Sequence, residues 1–447
     1  MNPILNLIEQ WFTVFSLIFL TGILRWSSLF VSADATAIST NDSNPFDPIS
    51  SIVQYLIYAI ALFFLIARKN TTISTARGSF LICALPVLAT ISCLWSDLPD
   101  ESLRKGIATI QTSYFGLYFA SRFSNKQQLH ILAWVFGIVA ILSLLFGIAF
   151  PGASIEMGAN AGSFRGPFTQ KNILARVAVL GSIVFLLNAL QNMQSTSNKI
   201  TLWLGFLINV LLIVLSTSKT ALLLLFMILV LLPLYKALRW KNTIIIPIII
   251  MIIICGGSIL AIVISNWEVS LNAIGGDATL TGRAGLWEAA IEKIGERPWL
   301  GYGYQAFWQD DGGAVEIWRS EGYKPPHAHN GFVNVPLDLG LIGLFIFLAI
   351  IAINYARAIA FLRSVTAIIG LWPIYYITFF FMYNQTENTI IEQNSIFWTL
   401  LVSTILSLQQ NNRHFLRSIS SIQTRKSITN SPYADRNPKD QHFRKRV

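Results

Sequence analysis

Apolar runs, each long enough to cross about one bilayer, follow one another along most of the chain, with short polar stretches between them. A hydrocarbon core about 30 Å thick calls for about 20 mainly apolar residues per helix. Twelve segments fit, with cores at Trp11 to Val31, Ile52 to Ala67, Ser79 to Trp95, Gly106 to Ser121, Ile131 to Phe150, Asn172 to Ala189, Ile200 to Leu215, Thr220 to Leu238, Thr243 to Ser265, Phe332 to Ile353, Thr366 to Tyr383 and Gln393 to Leu408. None shows the strict alternation of a membrane barrel strand, so the pattern predicts helices. The expected fold class is all-α: a polytopic membrane protein of about 12 transmembrane helices with one large outer loop containing short helices. Residues 1–265 would hold the first nine helices, 266–331 the loop, 332–408 the last three helices, and 409–447 a basic tail.

Composition sharpens this picture. Hydrophobic residues make up 54% of the chain and charged residues 12%, against the roughly 25% charged content of soluble domains. The first apolar run precedes "ADA" at Ala33 to Ala35, yet no Lys or Arg comes before Arg25. The basic leader of a signal peptide is therefore missing, and the run is expected to be retained. Cys83, Cys93 and Cys255 all fall within spans, where they are expected to pack and where neither a disulfide framework nor a thiolate metal cluster is suggested.

Charge sets the expected orientation, because cytoplasmic loops hold an excess of Lys and Arg. The stretch after Leu408 has nine basic residues and two Asp, and the even-numbered loops raise that side to 20. Both termini are therefore expected in the cytoplasm. The same asymmetry explains the net charge of +10 without nucleic acid as a partner. The tail is rich in Ser, Asn and Gln and reads as a disordered topogenic segment beside anionic lipid headgroups.

Ten basic residues remain on the other side: Arg104, Lys105, Arg165, Lys171, Lys219, Arg283, Lys293, Arg297, Arg319 and Lys324. Within the large loop, "TGRAGLWEAAIEKIGERPWLGYGYQAF" predicts an amphipathic helix with Leu286, Trp287, Ala290, Ile291 and Ile294 on one face. Thr279 or Thr281 would cap it and Pro298 would end it. Arg283 would then lie in the first turn, where free N–H groups already favour an anion and a guanidinium adds a fork suited to phosphate oxygens. Pairing with a nearby acid or headgroup is the plainer alternative.

The segment "KPPHAHNGF", Lys324 to Phe332, holds two of the five histidines where the loop re-enters the membrane. Pro325 and Pro326 keep the chain extended and give His327 and His329 a defined approach. A neutral imidazole there can take a proton from a hydroxyl. Two alternatives stay open on the residues alone: the histidines bond the loop, or they form half of a metal site completed by Glu316, Asp310 or Glu321. Asn172 and Arg176 share a face at the outer end of the sixth span, and Asp338 lies early in the tenth; charges in spans usually mark a pathway or site.

The order "FRGPFTQKN", "STSKTALLLL", "TGRAGLWEAAIEKIGERPWLGYGYQAF" and "HAHNGFVNVPLDLGLIGLF" resembles the O-antigen ligase and polymerase superfamily, and more narrowly its exopolysaccharide-production branch. The resemblance runs from the sixth span to the tenth. It implies a GT-C-like helical glycosyltransferase of the bacterial inner membrane, with the loop in the periplasm. The implied donor is a polyprenyl-pyrophosphate-linked oligosaccharide, and the acceptor a glycan or lipid-glycan. Membrane lipids and other polysaccharide-export proteins are the remaining partners, and no cofactor or metal is expected.

Arg283 matches the family's essential loop arginine, and His329 the histidine that activates the acceptor hydroxyl. Arg165, Lys171, Lys219 and Arg176 would hold the pyrophosphate, with His327, Asn330 and Asp338 in support. Many members of the family have arginine where this chain has Lys219, so the bidentate geometry is lost while the charge remains. Two other classes compete: a transporter of a lipid-linked glycan or small anion such as bicarbonate, and a cell-wall polymerase of similar helical build. A transporter would show related halves with paired interrupted helices, and no internal repeat is visible here. The His-Asn segment argues against the cell-wall polymerase.

Overall fold

The computed structural model describes residues 3–24, 47–77, 80–157, 161–191, 196–239, 245–265, 284–321 and 324–410. Its helices are α1 (Pro3–Leu20), α2 (Asp47–Ala67), α3 (Lys69–Ala76), α4 (Phe80–Ile91), α5 (Pro99–Arg122), α6 (Asn125–Ala149), α7 (Lys171–Ala189), α8 (Thr196–Leu215), α9 (Lys219–Ala237), α10 (Ile245–Ser265), α11 (Ala284–Glu296), α12 (Val315–Glu321), α13 (Gly331–Ser364) and α14 (Trp372–Tyr383). A last helix, α15, covers Ile396–Gln410. Among the described residues the only β pairing is an isolated bridge between Ile155 and Phe164. The protein is an all-α polytopic membrane protein, as the hydropathy pattern predicts.

Among the described residues, eight helices are long and apolar enough to cross a bilayer: α1, α2, α6, α7, α8, α9, α10 and α13. A ninth is added if α3 and α4 are one bent span, and α14 and α15 are apolar but short. Helix α5 is long enough but opens on the polar turn Pro99, Asp100 and Glu101. Proline at its start sets φ without wasting a donor, and the two acids face the positive end of the helix.

The first span is displaced from its expected place. Helix α1 begins at Pro3 and ends at Leu20, whereas the hydropathy core began at Trp11 and ran to Val31, of which residues 25–31 lie outside the described set. The helix starts early enough to include Glu9, which is only 1% exposed. Arg68, at the end of α2, grips both its oxygens at 2.5 and 2.8 Å, and Arg122 at the end of α5 adds a bond of 2.9 Å. Charge neutralised in this way no longer ends an apolar helix.

Helices α7, α14 and α15 are buried along nearly their whole lengths and form the centre of the bundle. Around them, Phe63 and Ile66 of α2, Leu207 of α8 and Ile252 of α10 remain exposed, as lipid-facing side chains should. Cys83 and Cys255 are also exposed, so these two do not pack inside as expected; they are thiols small and apolar enough for a lipid face.

Helix α13 is broken near its start. Gly340 takes φ +67°, and any Cβ there would collide with the Trp299 carbonyl. The turn Pro298 to Gly303 enters the break. Leu341 N–H donates to Pro298 O at 2.7 Å, Tyr302 N–H to Leu337 O at 2.8 Å and Gly303 N–H to Asp338 O at 3.1 Å. The backbone groups freed by the break are thus satisfied by the loop, which is what irregular backbone at membrane depth requires. Gly301, at φ +68°, allows the close approach to α13.

Above the break the loop forms a cap with its own core of Leu286, Ala290, Tyr302, Phe307, Trp308, Ala314 and Ile317, closed against Ala328 and Leu337. Helix α11 matches the predicted amphipathic helix, with one exception. Ile291 is exposed, because the buried face follows Leu286 and Ala290 and Ile291 lies a further 100° round. Its expected caps, Thr279 and Thr281, lie outside the described residues.

Candidate active site

The His-Asn segment is held from three directions. Trp287 of α11 donates its indole N–H to the Ala328 carbonyl at 2.7 Å, Trp318 of α12 donates to Pro325 O at 3.2 Å, and Ala328 N–H reaches the Asn334 side chain at 3.3 Å. His329 then adopts φ +50°, a sparsely populated conformation for a residue with a Cβ. That reversal lets Asn330 cap α13 by accepting the Phe332 N–H at 2.9 Å. His327 Nδ1 accepts the His329 backbone N–H at 3.1 Å, and the two rings lie edge to face with centroids 4.3 Å apart.

The connection between α14 and α15, "NQTENTIIEQN", completes the site. Buried Asn384 folds it by donating to Phe380 O and Thr389 Oγ1 and accepting the Thr389 N–H. Gly331 N–H is shared between the carbonyls of Asn384, at 2.8 Å, and Glu387, at 2.9 Å. Glu387 Oε2 consequently lies 3.5 Å from His329 Nδ1. Its other oxygen accepts from Asn172 Nδ2 at 3.2 Å, and Asn172 Oδ1 accepts from Ser218 Oγ at 3.1 Å. Beside these, Ser163 and Thr217 share a hydrogen bond of 2.7 Å, and Lys171 Nζ donates to Ser163 Oγ at 3.3 Å. Three of the four motifs singled out in the sequence thus meet around one carboxylate.

Tyr304, just past the glycine turn, ties the cap to the same connection. Its hydroxyl donates to Ile391 O at 2.5 Å and contacts Gln393 Oε1 at 2.8 Å. A second acid of that connection, Glu392, lies 3.7 Å from Arg176, whose guanidinium covers the Phe397 ring at 4.6 Å.

The predicted residues separate under this geometry. His327, His329, Asn330, Lys171 and Arg176 belong to the assembly. Lys219 is exposed at the first residue of α9, next to Ser218. Arg165 is buried, and its guanidinium donates to the carbonyls of Ala153 at 3.1 Å and Thr169 at 3.2 Å, holding its own loop. Asp338 is buried one turn below Asn334, from which it accepts a bond of 3.2 Å, and so supports the Asn334 amide that holds Ala328. Arg283 lies outside the described residues; the helix that begins one position later meets Ala328 through Trp287.

Carboxylates divide the described members of the ten cations set apart in the sequence. Lys293 pairs with Glu296 at 2.8 Å and Glu316 at 2.6 Å, Arg297 with Asp97 at 2.6 Å, Lys324 with Asp310 at 2.7 Å, and Arg104 and Lys105 with Glu101 at 2.6 and 3.2 Å. Hydrogen bonds donated to Glu296 and Glu316 hold the Lys293 ammonium well above its usual range, and the bond from Lys293, then that from Tyr302, holds Glu296 below its own. Among the described residues, the side-chain cations of Arg165, Lys171 and Lys219 have no carboxylate within salt-bridge distance.

His327, His329 and Glu387 offer donor atoms that all lie within 4.8 Å of one another, a set able to hold a metal ion. The acid is Glu387, whereas the sequence pointed to Glu316, Asp310 or Glu321. Of these, Glu316 pairs with Lys293 and Asp310 with Lys324. Glu387, Glu392, Ser163 and Thr217 were not singled out in the sequence; two acids in a polar gap between the last two apolar runs are the signal that marks them.

Fold and site together define a polytopic helical membrane protein whose loop cap, broken helix and last connection enclose a polar centre of imidazole, carboxylate and uncommitted cations. Residues 204–348 match the model of the O-antigen ligase family, and the resemblance carried by the motifs is borne out over that segment. The exopolysaccharide production protein ExoQ of Rhizobium meliloti is 29% identical over 59% of this chain and 62% of its own length. A Rickettsia conorii protein named as a polysaccharide ligase is 34% identical over 18% of this chain and 20% of its own. The matches thus span under two-thirds of either relative.

Proposed function

We propose that this protein is a glycosyltransferase that passes a polyprenyl-pyrophosphate-linked glycan to a sugar hydroxyl at the outer face of the bacterial inner membrane, as a ligase or a polymerase. Both termini are cytoplasmic and the cap is periplasmic. The observation that carries the reading is the meeting of a histidine, 3.5 Å from a carboxylate, with the Lys171 and Ser218 motifs through Asn172.

The acceptor hydroxyl attacks the anomeric carbon while the carbon–oxygen bond to the diphosphate breaks, its electron pair leaving with the lipid diphosphate. His329 takes the hydroxyl proton. Lys171, Lys219 and Arg283, with Arg176 deeper in the bundle and Arg165 shaping the loop, stabilise the charge that grows on the leaving group. With the acid near His329 serving the histidine, no carboxylate acts as nucleophile, so a single displacement inverts the anomeric centre. The cations supply the neutralisation a divalent ion would otherwise give, and the reaction needs no metal.

Deletion in the native host followed by size analysis of surface glycan tests the proposal. Loss of long chains with short units retained identifies a polymerase, and accumulation of lipid-linked polymer identifies a ligase. Unchanged surface glycan sinks both. Reconstituted vesicles that move a solute without forming a glycosidic bond would replace the enzyme with a transporter.

A further inference from the structure

We infer that Glu387 is the positioning residue for His329, holding its Nδ1 proton so that Nε2 faces the acceptor hydroxyl, and that Asn172 couples this carboxylate to the diphosphate site. The inference rests on the glycosyl-transfer reading above. His329 Nδ1 is buried and has no hydrogen-bond partner among the described residues, while Glu387 Oε2 lies 3.5 Å away. An imidazole nitrogen cannot stay buried and unpaired without cost, and the approach needed to close an N–H···O bond is a few tenths of an ångström. Hydrogen bonds of catalytic groups are often long without substrate and tighten in the complex.

The carboxylate is itself aimed. Asn172 Nδ2 donates to Oε1, and the Asn172 amide is held this way round because turning it over would set its oxygen against the carboxylate, while Ser218 donates to the Oδ1 on the other side. The Glu387 main chain is fixed too, through its carbonyl bond to Gly331 N–H, two residues past His329. With Nδ1 committed, Nε2 is the nitrogen left to accept a proton. When the acceptor hydroxyl gives up its proton, the imidazolium that forms sits beside a negative carboxylate, and the charge created at the base is balanced where it appears. His327, whose Nδ1 already accepts a backbone N–H, also faces His329.

The test uses the full-length protein in membranes, with lipid-linked glycan extracted from a host strain lacking this protein as donor and acceptor source. Glu387→Gln should lower kcat about 100-fold or more and leave the donor KM within about 2-fold. Glu387→Asp should restore part of kcat. A Gln variant with wild-type kcat, or one impaired only in KM, overturns the inference. Should Glu387→Gln fail to accumulate, Asn172→Ala carries the same test, with reduced kcat and unchanged KM expected and an unchanged kcat overturning it.

Activity abolished by a chelator and restored by zinc, with bound metal lost in Glu387→Gln, would also overturn it by making the trio a metal site. His329→Ala separates the two levels. If it retains full transfer, the proposed function has failed. If it loses transfer while Glu387→Gln does not, only the role of Glu387 has failed.

Discussion

The two ends of the helical bundle treat buried charge in opposite ways. Where α1 begins and α2 and α5 finish, Glu9 is sealed from solvent and bonded by Arg68 and Arg122, with Tyr118 a further 3.3 Å contact. At the far end His329 and Glu387 stand 3.5 Å apart, Arg176 and Glu392 3.7 Å apart, and among the described residues the Lys171 ammonium meets a hydroxyl and no carboxylate. Paired charge that no substrate can reach holds the scaffold together. Charge left half-satisfied at a loop-covered end is available to a ligand, because a buried polar group without a full set of partners gains most from one that supplies them.

The widest separation between the ends should come from His329→Ala, expected to lower transfer by about 10² to 10⁴, or about 3 to 5 kcal/mol of barrier, with no shift in thermal midpoint. A large loss of stability in that variant would blur the distinction. Glu9→Gln should do the reverse. It leaves two arginines facing a group that cannot balance them, costing about 3 kcal/mol of stability, read as thermal unfolding in detergent, while the folded fraction keeps its kcat.

Gly340→Ala tests whether the cap depends on the break in α13. The left-handed backbone and the obstructed Trp299 carbonyl together predict about 2 kcal/mol or more of destabilisation, visible as faster proteolysis within 284–321. Lys219→Ala should raise the donor KM about 10-fold, equivalent to about 1.4 kcal/mol, whereas Lys219→Arg should bind the donor at least as well as wild type. A Lys219→Ala enzyme with normal KM would remove that cation from the site.

The smallest effect concerns the cap. Because Glu296 titrates lower in the folded protein than unfolded, its bond to Lys293 contributes above the ordinary carboxylate range and is lost as pH falls through the folded value. The hydrogen-exchange protection factors of α11 should therefore fall below about pH 4 and stay flat from there to neutrality. Protection factors that did not respond to acid would show that the paired cations of the cap are as uncommitted as those of the site.

Much of this was legible along the chain. Apolar runs of bilayer length predicted the long described helices of the bundle and the amphipathic period predicted α11, though not the short helices α3 and α12, and the sites at Lys171, Arg176, His327 and His329 stood out as polar residues that an apolar protein would not keep at random. The burial of Glu9 was not legible because its partners, Arg68 and Arg122, lie 59 and 113 residues away. Arg165 was read as a ligand-binding cation because nothing in "FRGPF" announces that its guanidinium serves backbone carbonyls.

Hydropathy and helical period are properties of residues and their near neighbours, so the sequence alone determined the all-α membrane class, the predicted spans and the family segment. Tertiary structure decided which charges are spent and which are kept. Glu387 meets Asn172 across 215 residues, and the GYG turn fills a gap in α13 that no local pattern foretells. The reason is physical: a carboxylate's worth depends on what lies within a few ångströms of it, and in a folded chain that distance is unrelated to distance along the sequence.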